Sequence, residues 1–164
     1  MEIEIGMGKR GRRAYGLDEI AIVPSRRTRD PEDVDMAWQL GQYTFDYPLL
    51  ASAMDGVVSP LTAGIIGRIG GLGVLNLEGI QVRYEEPDAE LERIASYPPA
   101  EATRGLQEIY RRPVDPDLIR QRVHDMKEQG IVAAGSFTPQ KVTQYIDVAL
   151  DAGLDILVIQ GTVV

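Results

Sequence analysis

Pro48-Leu49-Leu50-Ala51-Ser52-Ala53-Met54 carries no polar alternation, which is the pattern of a strand covered on both faces in a parallel sheet. The run stops at Asp55-Gly56, and Ser59-Pro60 then supplies an N-cap followed by proline at the first helical position. Leu61, Ile65, Ile66 and Ile69 return at helical spacing until Gly70-Gly71 breaks the pattern. Leu72-Gly73-Val74-Leu75-Asn76 follows at once as a second short strand, so Leu49 to Leu75 reads as a compact βαβ unit with tight glycine-bearing turns.

A second unit lies further along. Ile131 to Gly135 reads as a strand, and Thr138-Pro139 opens a helix carrying Val142, Tyr145, Ile146, Ala149 and Leu150. Gly153 ends that helix, and Asp155 to Ile159 is a fourth strand. Between the units, prolines divide a polar stretch into helices expected near Pro87–Ser96, Glu101–Arg111 and Pro116–Gln129. Ile119, Val123 and Met126 give the last of these an apolar packing stripe. Ahead of the first unit, residues 1–42 read as an N-terminal extension over the floor of the sheet. Ile3, Ile5, Ile20, Ile22 and Val23 stand there in short strand-like runs, and Arg26 to Asp35 forms a polar loop. Four parallel strands with crossover helices admit an open doubly wound sheet or part of a closed barrel, and periodicity does not separate them.

The chain has 164 residues, where a complete eight-stranded barrel needs about 250. Residues 43–164 thus fit part of a barrel better than a whole one. No apolar run approaches the ~20 residues that span a bilayer, so no membrane partner is expected. The start has neither a basic n-region nor an apolar core, and a cytoplasmic location is the expectation. A net charge of -8 argues against bulk binding to nucleic acid, which needs many neutralised phosphates. With no cysteine and a single histidine, His124, the chain carries no thiol nucleophile and no thiolate metal site. His124 falls mid-helix and reads as a surface residue, and the basic cluster Lys9 to Arg13 reads as a solvated arm.

Three motifs in order decide between the architectures: Leu17-Asp18-Glu19-Ile20-Ala21-Ile22-Val23-Pro24, then Pro48 to Asp55, then Gly70-Gly71-Leu72-Gly73-Val74-Leu75. Together they resemble the opening of IMP dehydrogenases and GMP reductases. The start Gly8 to Gly16, the ending Val158 to Val164 and the lack of a CBS-domain pair after the second strand look most like the IMP dehydrogenase-related branch of bacteria. The resemblance implies the N-terminal part, about four βα units, of a parallel (β/α)8 TIM barrel with an N-terminal extension, its site at the C-terminal ends of the strands.

By the same resemblance, Ser52 and Met54 are the substrate-binding positions. Ser52 would hydrogen-bond a purine nucleotide, IMP or GMP, and Met54 would pack its thioether on the base. Gln160, Gly161 and Thr162 occupy the place that faces the nicotinamide riboside, where the main dehydrogenases carry an acidic residue; Gln160 is uncharged. Asn76 is a further candidate for that cleft. Gly70 to Gly73 is no dinucleotide fingerprint, because it follows a helix and precedes a strand. Asp55 is expected to cap the next helix or orient the site.

The implied chemistry is attack at C2 of the purine by a cysteine thiolate, with hydride exchange with a nicotinamide and release by hydrolysis or deamination. The implied cofactor is NAD, with a monovalent cation held elsewhere, and the implied assembly is a homo-oligomer, a tetramer or octamer. No residue here is assigned as catalytic, since the cysteine loop and flap are expected past Val164. The parent is expected to be an NAD-dependent IMP dehydrogenase-like enzyme and this segment alone inactive. GMP reductase, a non-catalytic nucleotide-binding subunit and a flavin-dependent barrel are the rival readings.

Overall fold

The protein is described here by a computed structural model covering residues 2–4, 6–16, 18–23 and 30–161. It divides into two compact units, Met1–Asp35 and Met36–Val164. In the first unit, β1 (Glu2–Glu4) pairs antiparallel with β2 (Arg10–Arg12), Ile3 opposite Gly11. Ile20, Ile22 and Val23, expected in strand-like runs, lie outside any strand and are exposed. Apolar side chains alone do not make a strand where no backbone ladder is formed. Ile5 and residues 26–29 of the expected loop fall outside the described residues, and Pro31–Asp33 forms one 3-10 turn.

The second unit opens with a hairpin absent from the sequence reading. β3 (Trp38–Leu40) and β4 (Tyr43–Phe45) pair antiparallel around Gly41, whose φ of 61° favours glycine. Each strand has three residues, too few to show a period in sequence. Trp38 lies opposite Phe45 with ring centroids 4.9 Å apart. These rings sit at the N-terminal ends of the parallel strands, in a cluster with Leu72, Val74 and Ala134. Asp46 and Tyr47 extend the attachment by donating their N–H groups to the Gly70 carbonyl.

The main sheet has four parallel strands in chain order: β5 (Leu50–Ala51), β6 (Leu72–Asn76), β7 (Ala134–Phe137) and β8 (Ile156–Ile159). The crossovers are α1 (Pro60–Arg68) between β5 and β6, α4 (Pro116–Glu128) before β7 and α5 (Pro139–Asp151) between β7 and β8. Two further helices, α2 (Pro87–Ala95) and α3 (Pro99–Ile109), precede α4. Helices α1, α4 and α5 share one buried core with Leu75, Leu77 and Phe137 of the sheet side they cover, including Ala63, Val123, Met126 and Ala149. The opposite face carries Val74, Ala134, Ile156 and Val158. Strand order without reversal and helices on one face are the signature of barrel staves; a doubly wound sheet reverses its order and is covered on both faces. Of the two architectures open to the sequence, the barrel is the one observed.

Two strand readings are corrected. β5 is shorter than the apolar run that announced it, and Leu50 is 52% exposed. Among the described residues it is an edge strand, paired only with β6, so its buried-strand composition is not matched by burial on both faces. The third strand starts at Ala134 rather than Ile131 and ends at Phe137. Its register, Val74 beside Ala134 and Asn76 beside Ser136, draws polar Ser136 into the sheet. Among the described residues no helix is long and apolar enough to cross a membrane.

Candidate functional site

Parallel pairing in register brings Asn76, Ser136 and Val158 side by side on the face away from the helices. The ladder continues just past the strands: Leu77 N–H donates to the Ser136 carbonyl at 3.1 Å, and Gln160 N–H to the Phe137 carbonyl at 2.9 Å. The chain therefore delivers Asn76, Glu78, Ser136, Thr138, Gln160 and Gly161 to one cleft of about 420 Å³, where Arg83 and Tyr110 form the facing wall. This lies within the size range of small-molecule sites, roughly 300 to 1,000 Å³.

Local bonds fix the cleft. Asn76 Oδ1 accepts the Glu78 N–H at 3.0 Å, turning the chain sharply after β6. Glu78 Oε1 accepts the Thr138 N–H at the start of α5. Arg83 Nε donates to the Glu78 carbonyl at 2.8 Å, and its Nη1 to the carbonyls of Tyr110, at 3.1 Å, and Arg112. The Tyr110 hydroxyl donates to Asp55 Oδ2, while Asp55 Oδ1 accepts the Ile80 N–H at 3.0 Å. Burial pushes the Asp55 carboxyl above its ordinary value, against the lowering effects of the Tyr110 and Ile80 hydrogen bonds and the Arg83 charge. Burial and the same carboxylate raise the Tyr110 hydroxyl.

Asp55 thus braces the loop after β6 and does not cap α1. That helix is capped by Ser59, whose Oγ accepts the Thr62 N–H at 3.2 Å while Thr62 Oγ1 accepts the Ser59 N–H at 2.7 Å. Gly79 has a spatial reason beside Asp55, because a Cβ at this position would overlap the Asp55 carboxylate.

A second hollow of about 240 Å³ opens on the inner face of the sheet, lined by Leu50, Ala51, Ser52, Ala53, Val74, Val158 and Gln160. Gln160 belongs to both hollows, so it bridges Ser52 on one side and Asn76 with Gly161 on the other. Met54 is 53% exposed and lines neither hollow. Thr162 lies outside the described residues. Glu78, Arg83, Tyr110, Ser136 and Thr138 were not singled out in sequence, although Ser136, a polar residue beside a run of strand-forming ones, was a usable signal. His124, read as a surface residue, lies on the exposed side of α4 and meets Glu128 one turn on, Nε2 to Oε1 at 3.1 Å.

The donor set is amide, hydroxyl and one guanidinium, suited to a ribose, a carboxamide or a phosphate. It therefore fits a nicotinamide nucleotide, for which Asn76, Ser136 and Gln160 would hold the neutral portion. Among the described residues no group of three or more acidic or histidine side chains is placed to hold a metal ion.

Residues 14–162 match the IMP dehydrogenase / GMP reductase domain. The chain belongs to this family. An uncharacterized oxidoreductase of Mycobacterium bovis is 47% identical over 99% of this chain and 44% of its own length, and one of Mycobacterium leprae is 44% identical over the same shares. The IMP dehydrogenase of Methanocaldococcus jannaschii is 32% identical over 40% of this chain and 13% of its own. Among solved structures of the family, an IMP dehydrogenase/GMP reductase-like protein of Corynebacterium glutamicum superimposes with a TM-score of 0.85 at 38% identity. That match covers 99% of this chain and 45% of the other. The chain thus spans less than half the length of these oxidoreductase and structural relatives.

Proposed function

We propose that this chain is the N-terminal part of a longer cytoplasmic, homo-oligomeric oxidoreductase that converts IMP to XMP with NAD. The observation that carries the reading is Gln160, shared between a hollow containing Ser52 and a polar cleft containing Asn76. Two hollows at strand ends that share Gln160 in their walls suit two ligands that must meet, a purine nucleotide over the sheet and a nicotinamide beside it. A bound nicotinamide dinucleotide supplies the hydride acceptor. Within this chain, Ser52 holds the purine nucleotide, Gln160 with Asn76 and Ser136 orients the nicotinamide side, and Phe137 and Val158 add apolar wall.

The family's thiolate chemistry has no nucleophile among these residues, because the chain contains no cysteine. The 164-residue polypeptide by itself is therefore inactive. A second reading is GMP reductase, the same scaffold run in reverse with NADPH and loss of ammonia. The whole protein should form NADH from IMP and NAD, followed by absorbance at 340 nm. Consumption of NADPH with GMP instead establishes the reductase, and nucleotide binding without either turnover supports a non-catalytic subunit. Turnover by the 164-residue chain would refute the division of labour.

A further inference from the structure

Among the described residues the strand-end cleft contains one cation, Arg83, and the bonds around that residue leave part of it unused. Its Nε and Nη1 are spent on three backbone carbonyls, those of Glu78, Tyr110 and Arg112. Among the described residues its Nη2 makes no hydrogen bond, and the ion pairs do not include it. A half-buried guanidinium hydrogen-bonded to neutral carbonyls, with the Asp55 carboxylate acting on it only from beyond ion-pair distance, keeps most of its charge available, since carbonyls orient a cation without neutralising it. The other charged side chain of the cleft, Glu78, is turned to the Thr138 N–H at the N-terminus of α5, where the helix dipole favours a carboxylate.

We propose that Arg83 binds an anionic group, a phosphate, of the nucleotide that enters this cleft, and that Tyr110 and Asp55 are its positioning residues. The Tyr110 ring lies under the guanidinium, 5.4 Å from Arg83 Cζ to the ring centroid, and its carbonyl takes one of the Nη1 bonds. Its hydroxyl is in turn anchored on Asp55, which is fixed by the Ile80 N–H and by the space left at Gly79. Three segments separated in sequence converge on aiming one side chain. The carbonyls fix the plane of the fork, the ring supports its face, and Nη2 is the remaining donor.

The proposal rests on reading the cleft as the nicotinamide side, and the test separates the two. Nicotinamide mononucleotide and nicotinamide riboside differ by one phosphate, and their binding to the whole protein is measured by calorimetry. The wild type should prefer the mononucleotide by roughly tenfold or more, as expected for a charge-assisted hydrogen bond. Arg83→Gln should abolish that preference while leaving the riboside nearly unchanged. Arg83→Lys, which keeps the charge but loses the fork, should retain part of it, whereas a purely structural arginine would make both substitutions weaken both ligands alike. Tyr110→Phe, which keeps ring and carbonyl, should weaken the mononucleotide severalfold and spare the riboside. Equal wild-type affinity for the two ligands, or an Arg83→Gln effect shared by both, overturns the assignment but leaves the cleft reading in place. Binding of neither ligand to the wild type overturns both.

Discussion

Two aspartates show how position decides what a carboxylate does for the fold. Burial works against ionisation of Asp155, but hydrogen bonds from Lys127 Nζ, the Ala133 N–H and the Tyr43 hydroxyl, together with the Lys127 charge, outweigh it and hold the carboxyl below its ordinary value. A depressed carboxylate stabilises the fold above its unfolded-state pKa of about 3.9, and that gain is lost as pH falls through the lower folded value. Asp155→Asn should therefore cost about 2 kcal/mol near neutrality, from the lost charge-assisted bonds, and clearly less at an acid pH below about 3.9. Urea titrations at both pH values check this, and a penalty unchanged in acid would contradict it. Asp55 has the opposite sign: its raised value means that the folded chain binds the extra proton, so stability falls as pH rises across that window. Ser52 and Gln160 were singled out by the family resemblance, which puts them at the C-terminal ends of strands. The Asp55–Tyr110 and Arg83–Tyr110 contacts were not, because separations of 55 and 27 residues leave no local period.

At the scale of elements, helices were read to within a residue or two wherever a cap and a proline announced them, as at Ser59-Pro60 and Thr138-Pro139. Strands of two to four residues were placed less well, since pairing partners and not local pattern set their ends, as β7 illustrates. One joint closed by backbone on both sides is β6 against α1. A Cβ on Gly73 would stand 2.9 Å from Ala63 Cα, a backbone atom that cannot swing away. Gly73→Ala must then push α1 off the sheet, and overpacking of this kind costs about 1 to 3 kcal/mol. Gly56→Ala is the control, as a Cβ there meets nothing within 4 Å. Thermal unfolding of the pair should show a clear drop in Tm for the first and little change for the second. Equal midpoints would mean that the joint is looser than its geometry.

For the whole molecule, the question is what the 164-residue chain does when expressed by itself. β5 and β8 are the two ends of the sheet order, and among the described residues each leaves one backbone edge unpaired. Beside β5, α1 turns Leu61, Ile65 and Ile69, spaced four residues apart, to solvent, with Leu49 and Leu50 also exposed. Contiguous apolar surface of this kind drives association, and free edges give it direction through backbone pairing. The two differ in reach: β5 contributes two strand residues, so its ladder is short, whereas the α1 stripe runs the length of the helix. The stripe is thus the larger driving force. The isolated chain should sediment as a dimer or larger species at micromolar concentration, and Leu61→Lys with Ile65→Glu and Ile69→Lys should shift it toward monomer without loss of helical circular dichroism. Association that persists in the triple variant moves the contact to the sheet edges and inner face. A wild-type chain that sediments as a clean monomer shows that neither surface is sticky enough to matter.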